Sequence, residues 1–437
     1  MEAATDDGSG SGSSVGCDWS RLPEDMLVNV LGAMHVADAV RSGAVCTSWH
    51  AAYTAFRRHR VPSPRQPPCL LYASDFVDPG DAALHCPASG STLRIPFPRA
   101  PLARRPLLGS GRGWLVTADE ASDLHLLNPV TRAQVALPPI TALYHVKSFT
   151  DELGDPVYNE HGDPMYKVYE NLLNDQCKID LEPTILDAPD AYCMYYRVVL
   201  SASPSAGRAC IVLLLHMPHG EISFARLGDE RWTVVKRSDD TGLPWRFFYT
   251  DAMYNDVDGL FYLLRHDGTM ISLELNGPSP VARQILSSAP KPVSSTKYLV
   301  QTPSGDILQV WRVGDYDDLP PGYEDEKEFN TTDLQLYKVD LDHGKVEMIK
   351  SLPDYVLFLG YNGSMCLPVK DFPGLKSNCA YITADFEEYV DVSKSNRREI
   401  GIWSMKEKSM SSLVDVSQFT CPWLNWPSPI WIKPSFL

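Results

Sequence analysis

Residues 261–273 read Phe261-Tyr-Leu-Leu-Arg-His-Asp-Gly-Thr-Met-Ile-Ser-Leu273. Four apolar residues lead into a polar turn centred on Asp267-Gly268, and a second apolar run leads out. That is the pattern of a β-hairpin. Residues 124–137, Leu124-His-Leu-Leu-Asn-Pro-Val-Thr-Arg-Ala-Gln-Val-Ala-Leu137, repeat the plan. Further apolar runs of strand length lie at 114–118, 195–200, 209–215, 232–235, 259–264, 306–311, 334–339 and 400–403. Between them stand Asp258-Gly259, Ser304-Gly305, His343-Gly344 and Asn362-Gly363, all turn formers.

These hairpins resemble propeller blades more than the strands of a sandwich. At ~40–50 residues for each repeat, the span from 70 onward predicts a single β-propeller of roughly six to eight blades. Composition agrees with a large folded core. The chain has 437 residues, 44% of them apolar and 10% aromatic, which excludes global disorder. Its 35 prolines disfavour a long-helix architecture. The longest clean apolar run, 209–215, is far shorter than the ~20 residues of a membrane helix. With 39 basic and 55 acidic residues the net charge is −16, which argues against broad binding to a nucleic-acid backbone.

The first 69 residues differ in character. Residues 1–17 are rich in Gly, Ser and Asp and read as a flexible tail without a secretory leader. Residues 18–60 read as three helices. Pro23 with Glu24 and Asp25 suits a helix start, and Met26, Leu27, Val30, Leu31 and Met34 recur at helical spacing. A short second helix is expected over 36–44, weak because of its small residues and Gly43. A third begins near Val45-Cys46, with Trp49, Ala52, Tyr53 and Phe56 on one face and Arg57-Arg58-His59-Arg60 at its C-terminal end. A module of about forty residues cannot bury all its apolar surface on itself, so part of that surface should meet a partner. Residues 61–69, Val-Pro-Ser-Pro-Arg-Gln-Pro-Pro-Cys, read as a semi-rigid connector. Two acidic stretches interrupt the β pattern, 149–191 and 315–328, and both read as surface-loop inserts.

Residues 20–56 resemble an F-box, on Leu22-Pro23-Glu24, Leu27, Val30-Leu31, Asp38, Val45-Cys46 and Ser48-Trp49. They depart from it at 39–44, where Ala-Val-Arg-Ser-Gly-Ala replaces bulkier, Leu-rich residues. The remainder resembles the plant F-box proteins with a C-terminal β-propeller. The carrying stretches include Gly109-Ser-Gly-Arg-Gly-Trp-Leu-Val, Leu126-Leu-Asn-Pro-Val-Thr, Asp371-Phe-Pro-Gly-Leu-Lys-Ser-Asn and Trp426-Pro-Ser-Pro-Ile-Trp-Ile-Lys-Pro. The resemblance implies a non-catalytic substrate receptor of a cullin–RING (SCF-type) ubiquitin ligase, without a cofactor. Leu22, Pro23, Leu27, Val30, Leu31, Val45, Cys46 and Trp49 would meet a Skp-type adaptor, and through it a cullin. The propeller would take an unidentified protein target, in the cytoplasm or nucleus, with no nucleic acid or membrane as partner. Two alternatives from other classes stand beside it: a propeller enzyme or small-ligand binder with a vestigial F-box, and an F-box scaffold outside any ligase.

Other candidate sites read better as structure. Gly109-Ser-Gly-Arg-Gly113 is followed by a strand, not by the helix a phosphate loop requires. His216 and His219 flank a proline without a third metal ligand. Asp151, Asp155, Glu160 and Asp163 lack the spacing of a calcium loop. The ten cysteines contain no Cys-x-x-Cys pair and read as reduced thiols, several of them buried. Asn330-Thr-Thr and Asn362-Gly-Ser match the glycosylation pattern by chance.

Overall fold

The computed structural model describes residues 18–59, 66–73, 81–96, 105–169, 182–217, 220–236, 243, 248–287, 296–318, 327–383, 399–413 and 427–436. The chain divides into two compact units, 1–63 and 64–437. The predicted tail, 1–17, lies outside the described residues.

The first unit is helical. A single 3-10 turn, Trp19–Arg21, is capped by the Asp18 carboxylate, which accepts the Ser20 N–H. Helix α1 (Glu24–Ala33) follows Pro23, whose fixed φ suits a helix entry, and has both acids in its first turn. Helix α2 (Val36–Ser42) is short, and α3 (Thr47–His59) packs along α1. Leu27, Leu31, Val36, Ala39, Trp49, Ala52 and Phe56 are buried. The small residues at the end of α2 have a packing reason. A Cβ on Gly43 would stand 2.7 Å from the Tyr53 ring, so the glycine lets α3 approach. His50 Nδ1 lies 3.1 Å from the Gly43 carbonyl and ties the same two segments.

The second unit is built of strands, and its sheets follow one another in chain order. The first holds β1 (Cys69–Tyr72), β2 (Asp81–Cys86) and β3 (Ser91–Pro96). The second holds β4 (Leu107–Gly111), β5 (Trp114–Ala118), β6 (Leu124–Leu127) and β7 (Gln134–Ala136). A three-stranded sheet follows, of β8 (Val146–Ser148), β9 (Met165–Val168) and β10 (Thr184–Asp187). Then come β11 (Tyr195–Leu200), β12 (Ile211–His216), β13 (Glu221–Arg226) and β14 (Thr233–Val234). The next sheet is β15 (Tyr249–Asn255), β16 (Leu260–Arg265), β17 (Met270–Glu274) and β18 (Val281–Leu286). It is followed by β19 (Thr296–Gln301), β20 (Ile307–Asp318), β21 (Lys327–Asp340) and β22 (Lys345–Ile349). The last consists of β23 (Tyr355–Leu359), β24 (Met365–Pro368), β25 (Cys379–Ile382), β26 (Gly401–Ser404) and β27 (Ser409–Ser412). Finally β28 (Ile430–Ile432) returns to pair antiparallel with β1.

This is the predicted β-propeller, mostly β with a small N-terminal helical part. Along one line of contact β28 meets β4, β4 meets β11, β11 meets β15, and β15 meets β19. Because β4 meets β11 directly, the sheet β8–β10 stands outside this succession, which leaves six blades among the described residues. Among the described residues six apolar seams agree, each uniting neighbouring sheets. Leu71, Leu84, Leu115 and Leu127 join the first two. Leu213, Phe261, Leu263 and Leu273 join the third and fourth blades. Phe358, Tyr381 and Trp431 join the last blade to the first. The inserted sheet lends Val146, Tyr166 and Val168 to the seam between the second and third blades.

The two acidic inserts are not plain loops. Residues 149–191 carry β9 and β10 and two tandem turns with the same sequence pattern, Asp151-Glu-Leu-Gly-Asp-Pro156 and Asn159-Glu-His-Gly-Asp-Pro164. In each, the first side chain accepts the N–H groups two and four residues on, and glycine takes a positive φ. At 315–328 the ends of β20 and β21 form a long hairpin, whose tip at 319–326 lies outside the described residues. The expected connector also ends early. Gln66, Pro67 and Pro68 are buried, Gln66 donates to the Pro67 carbonyl at 2.8 Å, and Cys69 opens β1.

Candidate functional site

Helix α1 presents apolar side chains in two directions. Leu27 and Leu31 point inward and are 1% and 0% exposed. Pro23 and Met26 are exposed, and Val30 is half-buried one turn further on. Spacings of three and four residues put these on one side of the helix. Val45 sits in the turn before α3 and is 71% exposed, while Trp19, before α1, is 62% exposed.

The eight residues expected at an adaptor interface therefore divide. Leu27, Leu31 and Trp49 are spent on the internal core. Pro23 and Val45 face solvent, and Leu22, Val30 and Cys46 are intermediate. Met26 and Trp19 are exposed apolar residues that sequence reasoning did not single out for docking. Periodicity placed Met26 with Leu27 on one broad face, and only burial separates the two.

At the centre of the β unit the charged groups hold one another. Arg197 on β11 pairs with Asp251 on β15 at 3.1 Å, with both side chains buried. Arg197 Nη1 donates to the Gly360 carbonyl beyond β23 at 3.1 Å, and the guanidinium lies 5.8 Å from the Tyr361 ring centre. The Asp251 carboxylate also accepts the Leu299 N–H on β19 at 2.7 Å and the Ala252 N–H at 2.8 Å. A second buried cation, Arg312, bonds Thr331, the Thr383 carbonyl and Glu399 at 2.9, 3.2 and 2.8 Å. These groups fasten blade to blade.

The remaining candidates resolve as structure. Arg112 and Gly113 form the turn between β4 and β5, both at positive φ, and a Cβ on Gly113 would stand 2.5 Å from Ser435. His219 lies outside the described residues. His216 stacks on His145 instead, with ring centres 5.1 Å apart and planes within 2°. Its Nδ1 lies 2.5 Å from the Met217 carbonyl and its Nε2 2.9 Å from Ser223 Oγ. Burial, reinforced by His216, holds His145 down to about 3, and burial holds His216 down to about 4. Asp151 and Asp163 are engaged in the tandem turns. Asn362 is buried and donates to the Phe358 and Gly363 carbonyls, which closes it to glycosylation in the folded state. Among the described residues, no cluster of three or more His, Cys, Asp or Glu could hold a metal ion. Among the same residues, no helix is long and apolar enough to cross a membrane.

Comparison with known proteins adds three findings. Residues 83–404 match the family model of the KIB1-4 β-propeller. F-box protein KIB4 of Arabidopsis thaliana is 22% identical over 423 residues, which cover 94% of each chain. F-box protein KIB2 and the putative F-box protein At2g33200 of the same plant are 27% and 28% identical over 159 and 124 residues. Those two alignments span 36% and 28% of this chain, and 32% and 30% of the relatives' own length.

Proposed function

The chain belongs to the KIB1-4 β-propeller family, and from that premise we propose that it is the substrate-recognition subunit of a cullin–RING (SCF-type) ubiquitin ligase. In this reading the helical module docks on a Skp-type adaptor, and a cullin joins through the adaptor. The β unit captures a protein target in the cytoplasm or nucleus. The chain itself performs no chemistry. It raises the effective concentration of the target beside the transfer machinery, which is the catalytic value of proximity.

The observation that carries the reading is the outward apolar set on the helical unit: Pro23, Met26 and Val45, with Val30 and Leu22 beside them. Among the described residues of this unit, the seven buried hydrophobic side chains do not include them. Their exposure is the kind of surface a partner covers. The buried, mutually paired charges at the centre of the propeller favour a supporting role there over substrate chemistry. In this reading the units divide as 18–60 for docking, a connector ending at 65, and capture from 66 onward.

The test is retention of a purified Skp-type adaptor by the full-length chain. Wild type should retain it. The triple variant Pro23→Ala/Met26→Glu/Val45→Glu should lose at least tenfold in affinity with an unchanged melting temperature, because its side chains lie outside the core. A wild-type chain that does not bind, or a triple variant that binds as wild type does, overturns the proposal.

A further inference from the structure

The register of the three-stranded insert β8–β10 separates its two faces. Val146, Tyr166 and Val168 enter the seam between the second and third blades, with Leu186 packed against them. Residues one position away along each strand point to the other side. There Lys147 stands directly opposite Lys167, and Lys167 directly opposite Ile185, in one row across all three strands. Met165 lies two residues before Lys167 and Phe149 two after Lys147, and the Phe149 N–H donates to the Met165 carbonyl at 2.8 Å. Tyr169 follows on the same side of β9, its N–H on the His145 carbonyl at 2.9 Å. These residues share the face turned away from the seam.

An antiparallel sheet packed on one side normally turns a polar face to water. This face instead sets apolar and aromatic side chains around two lysines. Ile185 is 38% exposed, Lys147 is exposed, and Phe149, Met165, Lys167 and Tyr169 are half-buried. The lysines are the sharper signal. Like charges directly opposite one another on paired strands repel and cost stability. Here they do so in a chain of net charge −16, where carboxylates outnumber cations. Each ammonium rests on a ring: Lys147 Nζ lies 5.2 Å from the Tyr169 ring centre, and Lys167 Nζ 4.0 Å from that of Phe149. Among the described residues neither lysine makes an ion pair. The neighbouring tandem turns use their own acids, since Asp151 accepts the Leu153 and Asp155 N–H groups and Asp163 the Asn159 amide. Asp187 stands at the corner of the face, opposite Met165. A ring attracts an ammonium but gives its N–H donors no lone pair to bond.

We propose that the outward face of β8–β10 is a docking surface for a peptide segment of a partner protein that combines carboxylates with apolar side chains. Charge complementarity selects the occupant. Paired strands lie ~4.8 Å apart, so one carboxylate can reach both lysines of the row. It relieves their repulsion and gives each ammonium an acceptor while the ring contacts stay. Apolar side chains beside that carboxylate cover Ile185 and Met165 and take their area out of water. A basic segment gains neither. The insert stands outside the succession of blades, so a segment bound there leaves the ring closed. That this is where the β unit holds its target rests on the receptor reading above; binding of an acidic segment by this face does not.

The probe is a short fluorescein-labelled peptide that mixes glutamate with leucine, and the readout is its anisotropy as the full-length chain is added. Wild type should bind it, and should bind a matched peptide with lysine in place of glutamate at least tenfold more weakly. Added salt should weaken the glutamate complex. Lys147→Glu/Lys167→Glu should lose at least tenfold in affinity, Ile185→Ser should lose severalfold, and Lys147→Arg/Lys167→Arg should keep the wild-type value. Without peptide, Lys147→Ser should melt no lower than wild type, because it removes a repulsion. Adaptor retention by the same variants reports on the receptor reading separately, so the two fail in different assays. The proposal is overturned if wild type does not bind the glutamate peptide, if both peptides bind alike, or if the charge-reversed chain binds as wild type does. It is equally overturned if the face is covered by a second copy, seen as a dimer that Ile185→Glu dissolves.

Discussion

His145 and His216 lie ring on ring in the seam between the second and third blades, and both are neutral at physiological pH. An ordinary histidine titrates near ~6.5, so between that value and about 4 the unfolded chain binds protons that the native chain refuses. Their contribution to stability is complete above the unfolded pKa and is lost as pH falls through this window. The slope is up to about 1.4 kcal/mol per pH unit for each histidine. Urea melts from pH 6.5 to 4.5 should show this loss, and His145→Phe should flatten it relative to wild type. The sequence held no trace of the stacking, since His145 and His216 are 71 residues apart and only the fold brings them together. The apolar residues of the helical unit were legible in kind but not in direction. Leu27 and Met26 are both apolar and adjacent, and which one faces inward depends on where α3 packs.

At the scale of elements, hairpins with long apolar strands and glycine turns were the most legible. The run quoted at 261–273 is β16, its turn and β17, in register Phe261 with Leu273. The misread elements were those whose strands are short or acidic. β8, β9 and β10 have three or four residues each, too few for alternation to stand out from an Asp- and Pro-rich background. Their available signal was the repeated Glu-x-Gly-Asp-Pro of the two turns. The distal part of β20 and β21 was hidden by its charge, yet one glycine there is informative. Gly314 sits at a bulge, and a Cβ there would stand 2.4 Å from the Phe329 ring and 2.5 Å from the Asn330 carbonyl oxygen. Phe329 in turn carries the Arg312 guanidinium 5.0 Å from its ring centre. Gly314→Val should cost about 1–3 kcal/mol, as overpacked sites do. Limited proteolysis should show faster cleavage within 315–330, with the β15–β18 sheet still protected.

At the scale of the whole molecule, a ring assembled from separate sheets needs cross-links that no single hairpin contains. Arg197 and Asp251 supply one, since between them they touch β11, β15, the N–H of Leu299 on β19, and the Gly360 carbonyl. Breaking such a pair leaves a buried charge and costs about 3–5 kcal/mol, whereas replacing both partners by apolar residues costs far less. Asp251→Ala should therefore lower urea stability by that amount, and Arg197→Met/Asp251→Leu should recover most of it. The number of blades was bounded by repeat length but not fixed by it, because the β8–β10 insert occupies sequence without occupying a place in the ring. The pairing of β28 with β1 has a consequence in time. About 360 residues separate the two strands, and ribosomes add roughly 5–20 residues per second. For tens of seconds of synthesis β1 therefore offers an open edge, until Trp431 arrives opposite Leu70 and packs on Phe358 and Tyr381. The nascent chain carries an unfinished ring until its closing segment emerges, and a transcript cut short before that segment yields a protein that folding chaperones and proteases can recognise by that edge.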